Sequence, residues 1–412
     1  MKHGLVRAVL STFALLAPVK AQYLRGGDLV VCNLGSPYVF KVWSNGSVSV
    51  LAAPPYVAGP SGVLGDRDGS LVVCDTQSNR LIRLSPAGPI TTIAQNLSVP
   101  LRVMVDRDGS YLVTVVSSTS LIDRVARDGT VTPFLLPGAG GMRRAFHVML
   151  DGDGRYVACD DLGNGVYRID PAGLVTAIHV GAPLRLPQGA ALFPNGDYAV
   201  FDGLTDSIWR IDRATGVPTT WVSNAALGGN PCGITSSGDG GFYVSLSGST
   251  GNAVVHVDAS AAVTVVASGA PFTNLEDCAM VPYLSGPNDF ATGPGSARTL
   301  SLDFPTRPAT LYTIALSGSL FPGLTLPGDA RAMTLTVDGL MLATIASNLA
   351  PVLTAWTGFT GNDGRAYPRI DLSSLPAGLL AGLTLHAQGL ALHPAAPSGV
   401  VTITNTFSLS FR

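Results

Sequence analysis

A glycine followed by a short apolar run recurs six times in the first two thirds of the chain, and this repeat restricts the possible folds more than any other feature. The six positions, here called anchor glycines, are Gly27, Gly69, Gly109, Gly154, Gly196 and Gly240. Subtraction of successive positions gives spacings of 42, 40, 45, 42 and 44 residues. Each repeat contains strand-like apolar runs separated by turns rich in Gly, Pro, Asn and Asp. Four such strands per repeat predict one blade of a β-propeller.

The first strand of each blade precedes its anchor glycine, but Gly27 has no such strand ahead of it. The missing copy lies at the other end of the repeats, at Asp277–Val281, where Gly286 takes the anchor position. We therefore predict that residues 22–285 form a six-bladed, all-β propeller whose ring is closed by the last strand of the repeat region. Such closure protects a strand edge that would otherwise be unpaired.

Blade two carries a resemblance to known propellers. Its sequence contains Pro60-Ser-Gly-Val, Asp68-Gly69, Val73-Cys-Asp75 and Asn79-Arg-Leu81. This pattern resembles the NHL repeat, and also the wider group of six-bladed propellers that includes streptogramin lyase and the gluconolactonase/regucalcin enzymes. The resemblance extends over all six blades and implies the fold. Because that group contains both enzymes and binding proteins, it leaves the function open.

The N-terminus has the features of an export signal. Lys2, His3 and Arg7 give a positive start, residues 8–17 are mostly apolar, and Val19-Lys-Ala21 offers small residues at the two cleavage subsites. We therefore expect a signal peptide at residues 1–21 and a secreted, cell-surface or periplasmic protein. The apolar run is too short to span a bilayer, and no later segment is long and apolar enough to do so.

The charge of the chain limits its expected partners. Charged residues make up 13% of the sequence, and the formal net charge is −2. There is neither a basic stripe nor an acidic tail, which argues against nucleic acid and anionic membranes as partners. We expect a monomer that binds an unidentified small molecule or an extracellular protein.

The repeats stop near Gly286, and the remainder predicts a second domain. Residues 286–297 are a turn-rich linker, and residues 298–412 are expected to form a β-sandwich. The predicted strands are Arg298–Phe304, Thr310–Leu316, Ala332–Asp338, Tyr367–Leu372, Leu383–Leu392 and Val400–Phe411. The segment from Leu383 to Asn405 resembles a C-terminal β-domain that is often appended to exported bacterial proteins. Its two histidines are read as ordinary surface residues rather than as a metal pair.

The position seven residues before each anchor predicts the lining of the central channel. It holds Gly62, Arg102, His147, Gly189, Gly233 and Ala279. One interpretation is an anion-binding corner in which Arg102 binds a carboxylate or phosphate and His147 titrates near neutral pH as a catalytic acid or base. Arg144, Gln188 and Glu276 complete the candidate ligand-binding residues. In the alternative, Arg102 and His147 fill the channel and bond to neighbouring loops.

Carboxylates at other repeat positions are candidate metal ligands. The position six residues after each anchor holds Asn33, Asp75, Val115, Asp160, Asp202 and Leu246. Asp160 and Asp202 could bind a hard cation, Ca²⁺ or another divalent ion, through oxygen. Alternatively, each closes the following turn onto backbone N–H groups, as the resemblance to NHL repeats implies. Glu276 is a further candidate, because the gluconolactonase/regucalcin enzymes place a metal-binding glutamate early on an inner strand.

Three Asp-x-Asp-Gly segments resemble half of a calcium loop. They are Asp66–Gly69, Asp106–Gly109 and Asp151–Gly154. A full calcium loop needs more oxygen ligands and a bidentate glutamate. We therefore predict hairpin turns between the first and second strands of these blades.

Five cysteines follow the predicted signal, and an odd number excludes a fully paired set within one chain. Cys32, Cys74 and Cys159 share the position five after the anchor, which predicts buried packing. Cys232 and Cys278 lie eight before their anchors on neighbouring blades. Export permits a disulfide between them, but the spacing of inner strands can exceed what a disulfide tolerates.

Three functions remain open at this point. The first is a non-catalytic exported propeller that binds a ligand or protein at the channel mouth. The alternative is a metal-dependent enzyme of the lactonase or lyase type, and the third is a surface scaffold without a small ligand. Metal-binding and nucleotide-binding motifs such as HExxH or a phosphate loop do not occur in the sequence.

Overall fold

The computed structural model describes residues 24–412, except 87–88, 152, 249–250, 286–288, 291–296, 305–306, 308, 319–323, 326–331, 334, 336–339, 342–343, 345–351, 373–374, 376–378, 382, 395, 397, 399, 405–406 and 412. The predicted signal peptide at residues 1–21 lies outside the described residues. No helix among the described residues has the length and apolar character needed to cross a membrane.

Six four-stranded antiparallel sheets form the blades of a β-propeller. Blade one contains β1 (Leu29–Asn33), β2 (Tyr38–Val42) and β3 (Val48–Ala52). Blade two contains β4 (Pro60–Gly65), β5 (Leu71–Asp75), β6 (Arg80–Leu84) and β7 (Ile90–Gln95). Blade three contains β8 (Pro100–Val105), β9 (Tyr111–Val115), β10 (Ile122–Val125) and β11 (Val131–Leu135).

The remaining blades follow the same order from the channel outwards. Blade four contains β12 (Ala145–Leu150), β13 (Tyr156–Asp160), β14 (Gly165–Ile169) and β15 (Val175–Val180). Blade five contains β16 (Pro187–Leu192), β17 (Tyr198–Asp202), β18 (Ser207–Ile211) and β19 (Pro218–Val222). Blade six contains β20 (Asn230–Ser236), β21 (Phe242–Ser247), β22 (Ala253–Val257) and β23 (Val263–Ser268). Short helical turns occur at Thr76–Ser78, Ala139–Gly141 and α1 (Asn224–Leu227).

The ring closes as the repeat predicts. Strand β24 (Leu275–Met280) pairs antiparallel with β1 and supplies the inner strand of blade one. Val31 lies opposite Cys278, and Cys32 lies opposite Asp277. The first and last strands of the propeller are therefore joined in one sheet, so the inner edge of β1 is paired.

The second strands form the centre of each blade. In blades one to five every residue of this strand is buried, whereas outer strands such as β11 and β19 contain consecutive exposed residues. Val and other β-branched or aromatic residues fill the buried strands, because neighbouring blades cover both faces of the sheet. Apolar clusters lie between adjacent blades and form the core of the propeller.

The Asp-x-Asp-Gly segments form hairpin turns, as predicted. In blade two, the Gly69 N–H donates to the Asp66 carbonyl over 3.0 Å, and the Asp66 N–H donates to the Ser70 carbonyl over 2.8 Å. The Asp66 carboxylate is buried and accepts a hydrogen bond of 2.6 Å from the hydroxyl of Tyr111 in blade three. Arg83 and Arg127 also donate to this carboxylate.

The C-terminal region contains short strands. They are β25 (Leu284–Ser285), β26 (Asp289–Phe290), β27 (Ala297–Thr299), β28 (Ser301–Asp303), β29 (Leu311–Ser317), β30 (Leu324–Thr325), β31 (Ala332–Met333), β32 (Leu353–Thr354), β33 (Thr357–Phe359), β34 (Arg365–Ala366), β35 (Arg369–Asp371), β36 (Thr384–Leu392), β37 (Val400–Ile403) and β38 (Phe407–Phe411). Leu302, Ile314 and Ile370 come from three different sheets and share one apolar core. The C-terminal strands therefore form several small sheets that pack on a common core.

Three predictions in this region, two of strands and one of the linker, differ from the structure. The predicted strand Val400–Phe411 is divided into β37 and β38, which both pair with β36. The predicted strand Arg298–Phe304 is divided into β27, which pairs with β35, and β28, which pairs with β25 and β34. Within the predicted linker, β26 pairs in parallel with β38. The chain changes sheet at Leu300, whose N–H donates to the Pro368 carbonyl, and the unbroken alternation of polar and apolar residues over 299–304 does not show such a change.

The C-terminal region contacts the hairpin face, which is the end of the propeller where the inner strands turn into the second strands. Arg25, just before blade one, forms an ion pair with Asp303 of β28. On blade six, a Cβ atom built at Gly238 would lie 2.9 Å from the Ile403 carbonyl oxygen of β37. The opposite end of the propeller, where the inner strands begin, is called the start face below.

Candidate ligand-binding cavity in the channel

A cavity of about 470 Å³ occupies the hairpin half of the central channel. All six inner strands contribute to its wall. The wall begins at Arg102 and His147, near the middle of the inner strands, and continues to the hairpin residues Arg67, Pro194 and Gly238. The space therefore opens away from the start face.

Most of the wall is apolar. Half-buried side chains from different blades line it: Leu64, Val105, Met149, Ala191, Leu192 and Met280. These residues lie in the last halves of the inner strands, which form the channel edge of each sheet. Because burial of apolar surface stabilises a complex in proportion to area, such a wall favours an apolar molecule.

The C-terminal region contributes the outer end of the cavity. Gln388 of β36 and Thr404, just after β37, both line it. The Gln388 side-chain amide donates to the Thr404 carbonyl over 2.9 Å, and Gln388 is almost fully buried. The cavity is thus bounded by the propeller and by the C-terminal region together.

Arg102 closes the inner end of the cavity by bonding across the channel. Its Nη1 donates to the carbonyl oxygens of Ser61 at 2.8 Å and Leu101 at 3.1 Å. Its Nη2 donates to the carbonyl oxygens of Cys232 at 3.0 Å and Glu276 at 2.8 Å. These contacts join blades one, two, three and six. The terminal nitrogens of Arg102 are thereby bonded to main-chain carbonyls of the inner strands, rather than to the neighbouring loops that the channel-filling alternative names.

Two carboxylates face the Arg102 guanidinium. Asp277 Oδ2 lies 3.6 Å from Arg102 Nε, and Glu276 Oε2 lies 4.0 Å from Arg102 Nη2. Burial raises the pKa of Asp277 to about 6, although the positive charge of Arg102 opposes that shift. Burial likewise raises the pKa of Glu276. The positive charge of Arg102 is therefore already matched by acidic groups of the protein.

The strand pairing places Asp277 at the same level as Arg102 and His147. Asp277 lies opposite Cys32, as Gly62 lies opposite Cys74 and His147 lies opposite Cys159. The spacing to Gly286 predicts Ala279 at this level, and that prediction is wrong by two residues. In blades two to six a hairpin ties the inner strand to its anchor glycine, whereas no such hairpin follows β24, so its spacing to Gly286 is not fixed.

His147 contributes a neutral imidazole to the wall. Its Nδ1 is buried and has no hydrogen-bond partner among the described residues. Burial, followed by the charge of Arg102, lowers the pKa of His147 to about 3. This result differs from the titration near neutral pH that the sequence suggested, because the charged form of the ring would lie in a desolvated channel beside a cation.

The other ligand-binding candidates lie on the side of the start face. Arg144 forms a bidentate ion pair with the buried Asp161, with a distance of 2.7 Å between Arg144 Nε and Asp161 Oδ1. Its guanidinium carbon and that of Arg102 lie 5.8 Å and 4.9 Å from the centre of the Phe146 ring. The structure therefore brings Arg102 and Arg144 to one aromatic ring.

Gln188 and Glu276 lie one residue closer to the start face than the level that contains Arg102, His147 and Asp277. The Gln188 side chain is adjacent to Gly203, where a built Cβ atom would lie 2.5 Å from Gln188 Oε1. Glu276 accepts a hydrogen bond of 3.2 Å from the Asn274 amide. Of the five candidates, only Arg102 and His147 line the cavity.

The metal-ligand candidates on the second strands bond to loops. Asp160 accepts from the N–H groups of Arg143, Arg144 and Gly163 over 2.7–3.0 Å. Asp202 accepts from four backbone N–H groups, those of Arg185, Leu186, Leu204 and Thr205. These are the bonds that the turn-closing alternative requires. In the part of the chain that the structure describes, no three His, Cys, Asp or Glu residues form a group suited to a metal ion.

All five cysteines are free thiols. Cys32, Cys74 and Cys159 are buried, in agreement with the packing prediction. The Cys232 thiol donates to the Leu275 carbonyl over 3.0 Å, and the Cys278 thiol donates to the Tyr243 carbonyl over 3.5 Å. The corrected position of β24 explains why they do not pair, since Cys278 lies two residues further along its strand than Cys232 does.

Comparisons with known proteins bear on the fold alone. No protein-family model and no curated protein matches the sequence. A protein of unknown function from Bacteroides caccae is similar in structure, with 15% identity, a TM-score of 0.50, and coverage of 62% of this chain and 98% of that one. A streptogramin B lyase has 18% identity and a TM-score of 0.42, and the match covers 66% of this chain and 79% of that one. A gluconolactonase from Xanthomonas campestris has 14% identity and a TM-score of 0.48, and the match covers 64% of this chain and 93% of that one. The chain is a six-bladed β-propeller with additional C-terminal strands.

Proposed function

We propose that this chain is an exported β-propeller binding protein that holds a small, largely apolar molecule in its channel and does not transform it. The cavity of about 470 Å³ is the observation that carries this proposal. Cavities of about 300–1,000 Å³ with apolar walls and few polar groups are typical of small-molecule sites. The charged start of the sequence and the apolar run after it support export.

The chemistry at the inner end of the cavity supports binding rather than turnover. Arg102 is bonded to four main-chain carbonyls, and the neutral state of His147 is favoured far above its lowered pKa. A general acid or base works best when its pKa is near the working pH. His147 is therefore better suited to donate or accept a fixed hydrogen bond than to transfer a proton at neutral pH.

A cavity-filling variant tests the binding site. Ala191 lies in the cavity wall on β16, so Ala191→Phe should place a ring in the space. The control is Thr220→Phe, which makes a comparable change at an exposed position of β19 in the same blade. The probe is Nile red, a neutral apolar dye that becomes fluorescent in an apolar site.

We expect the unaltered protein and Thr220→Phe to bind one equivalent of Nile red, and Ala191→Phe to bind at least about 10-fold more weakly, since ligand and ring compete for the same volume. Thermal unfolding of the three proteins checks that each remains folded. Equal dye binding by the folded Ala191→Phe variant, or no binding by any of the three, would refute the proposal.

A further inference from the structure

The inner end of the cavity carries two polar atoms that the fold leaves without partners. Arg102 Nε and His147 Nδ1 are buried and form no hydrogen bond with the described residues. Both side chains line the cavity. Buried polar atoms are nearly always hydrogen-bonded, because leaving one unpaired costs about 1–3 kcal/mol. Their presence at the end of an otherwise apolar space therefore identifies where a polar group of a ligand would bind.

The chemistry of these two atoms restricts that polar group. Arg102 Nε carries a hydrogen and can only donate. The nearest carboxylate oxygen, Asp277 Oδ2, is 3.6 Å away, beyond hydrogen-bond length. The neutral His147 ring presents Nδ1 as an acceptor when the hydrogen is on the other nitrogen. A hydroxyl group satisfies both atoms at once, since it accepts from Arg102 and donates to His147.

The local charge disfavours an ionised ligand. Arg102 faces Asp277 and Glu276, so an added carboxylate would be repelled by two acidic groups while it was desolvated. An ammonium group has only donors, so it cannot accept from Arg102 Nε and would place a second positive charge beside the guanidinium. An uncharged head group avoids both costs.

We propose that the cavity binds an uncharged molecule with an apolar body and a terminal hydroxyl group, with the hydroxyl placed between Arg102 Nε and His147 Nδ1. This inference rests on the proposed function, because it names the ligand class for the same cavity. The apolar body lies along the wall formed by Leu64, Met149, Leu192 and Met280, and extends towards Gln388 at the outer end.

Displacement of bound Nile red by three ten-carbon probes tests the head group. The probes are 1-decanol, decanoate and decylammonium, which share one chain and differ in charge. Decanol is expected to displace the dye at a concentration at least about 10-fold lower than either ion, since burying an unmatched charge costs more than burying a bonded hydroxyl.

His147→Phe removes the acceptor while it keeps a ring in the wall. This variant should bind decanol about 3- to 10-fold more weakly, the loss expected for one hydrogen bond. The control is His179→Phe on β15, the outer strand of the same blade, which should leave decanol binding unchanged. Nile red binding to each variant shows that the cavity itself is intact.

The outcomes separate the two proposals. If decanoate or decylammonium binds as tightly as decanol, or if His147→Phe retains full decanol affinity, the hydroxyl site is refuted while the cavity remains a binding site. The hydroxyl site is also refuted, and the cavity kept, if the unaltered protein binds the three probes with equal affinity and Ala191→Phe weakens the binding of each to the same extent. If neither the dye nor any probe binds, both proposals are refuted.

Discussion

The interface between two neighbouring blades is here called a seam. Two seams, between blades two and three and between blades five and six, have residues of opposite chemistry at the same two repeat positions. The positions are three before one anchor glycine and two after the next. In the first seam they hold Asp66 and Tyr111, which form a buried hydrogen bond of 2.6 Å. In the second they hold Phe193 and Phe242, whose ring centres lie 5.0 Å apart in an edge-to-face arrangement.

Other seams show that the two positions change together. Blades three and four are joined by Asp106 and Tyr156, and blades four and five by Asp151 and Tyr198, in both cases over 2.9 Å. Leu24 and Leu71 occupy the positions between blades one and two and belong to one apolar cluster. A buried carboxylate requires a donor from the next blade, whereas an apolar side chain requires only apolar contact. Each of these five seams is therefore matched within itself.

Loss of the aromatic seam should have the largest effect. Phe242→Ala removes a fully buried ring that contacts Phe193 and Trp221, and we expect it to lower the free energy of unfolding by about 3–5 kcal/mol. Urea unfolding measures this loss, which should be the same at pH 7 and pH 5 because no titratable group is removed. A loss below about 1 kcal/mol would show that the seam is not held by this cluster.

Loss of the carboxylate in a polar seam should have the next largest effect. Asp66→Asn leaves Arg83 and Arg127 with a neutral partner, and we expect a loss of about 2–3 kcal/mol, less than for a fully buried pair because both arginines reach solvent. The matched control is Asp68→Asn two residues later, where the carboxylate is 54% exposed and also pairs with Arg83. The control should lose less than about 1 kcal/mol.

The pH dependence distinguishes this seam from the aromatic one. Burial opposes the charge of Asp66, but the hydrogen bond and charge of Arg127 and the Tyr111 hydroxyl outweigh it and hold its pKa below the ordinary value. The contribution of Asp66 is therefore complete above its unfolded-state pKa of 3.8 and is lost as the pH falls through the lower, folded-state value. If the loss in free energy of unfolding caused by Asp66→Asn became larger as the pH was lowered, the carboxylate would not be the stabilising group.

Removal of one hydroxyl should have a smaller effect than either change. Tyr198→Phe deletes the donor to Asp151, which keeps its contact with Arg213, and we expect a loss of about 1 kcal/mol. The reciprocal variant, Phe242→Tyr, places a hydroxyl where Phe193 offers no acceptor and should also destabilise. A neutral or stabilising Phe242→Tyr variant would contradict the view that the seam between blades five and six is chemically matched.

The sequence predicts the strands of the propeller well because each blade is a local unit with its own turns. The closing strand β24 is correctly located for the same reason, but its level in the channel is not, since only pairing with β1 fixes it. The Asp66–Tyr111 contact could have been found by comparing positions between adjacent repeats rather than within one. The cavity could not, because it depends on how Arg102 crosses the ring and on where Gln388 docks.

The seam between blades six and one has neither kind of matched pair. Loss of an ion pair within blade six is expected to give the smallest change in the free energy of unfolding. Ser237 and Leu29 occupy the two positions, while Asp239 pairs with His256 of the same blade at 3.1 Å. The hydrogen bond to Asp239 raises the pKa of His256, so its contribution is present below the unfolded-state value of 6.5 and is lost as the pH rises through the folded-state value. His256→Gln should therefore destabilise by about 0.5 kcal/mol at pH 6 and have less effect at pH 8.5, because a partly exposed pair is weak. Urea unfolding at the two pH values measures this difference. If His256→Gln lowered the free energy of unfolding equally at both pH values, the contact of the ring with Tyr243, rather than the ion pair, would stabilise this part of the blade.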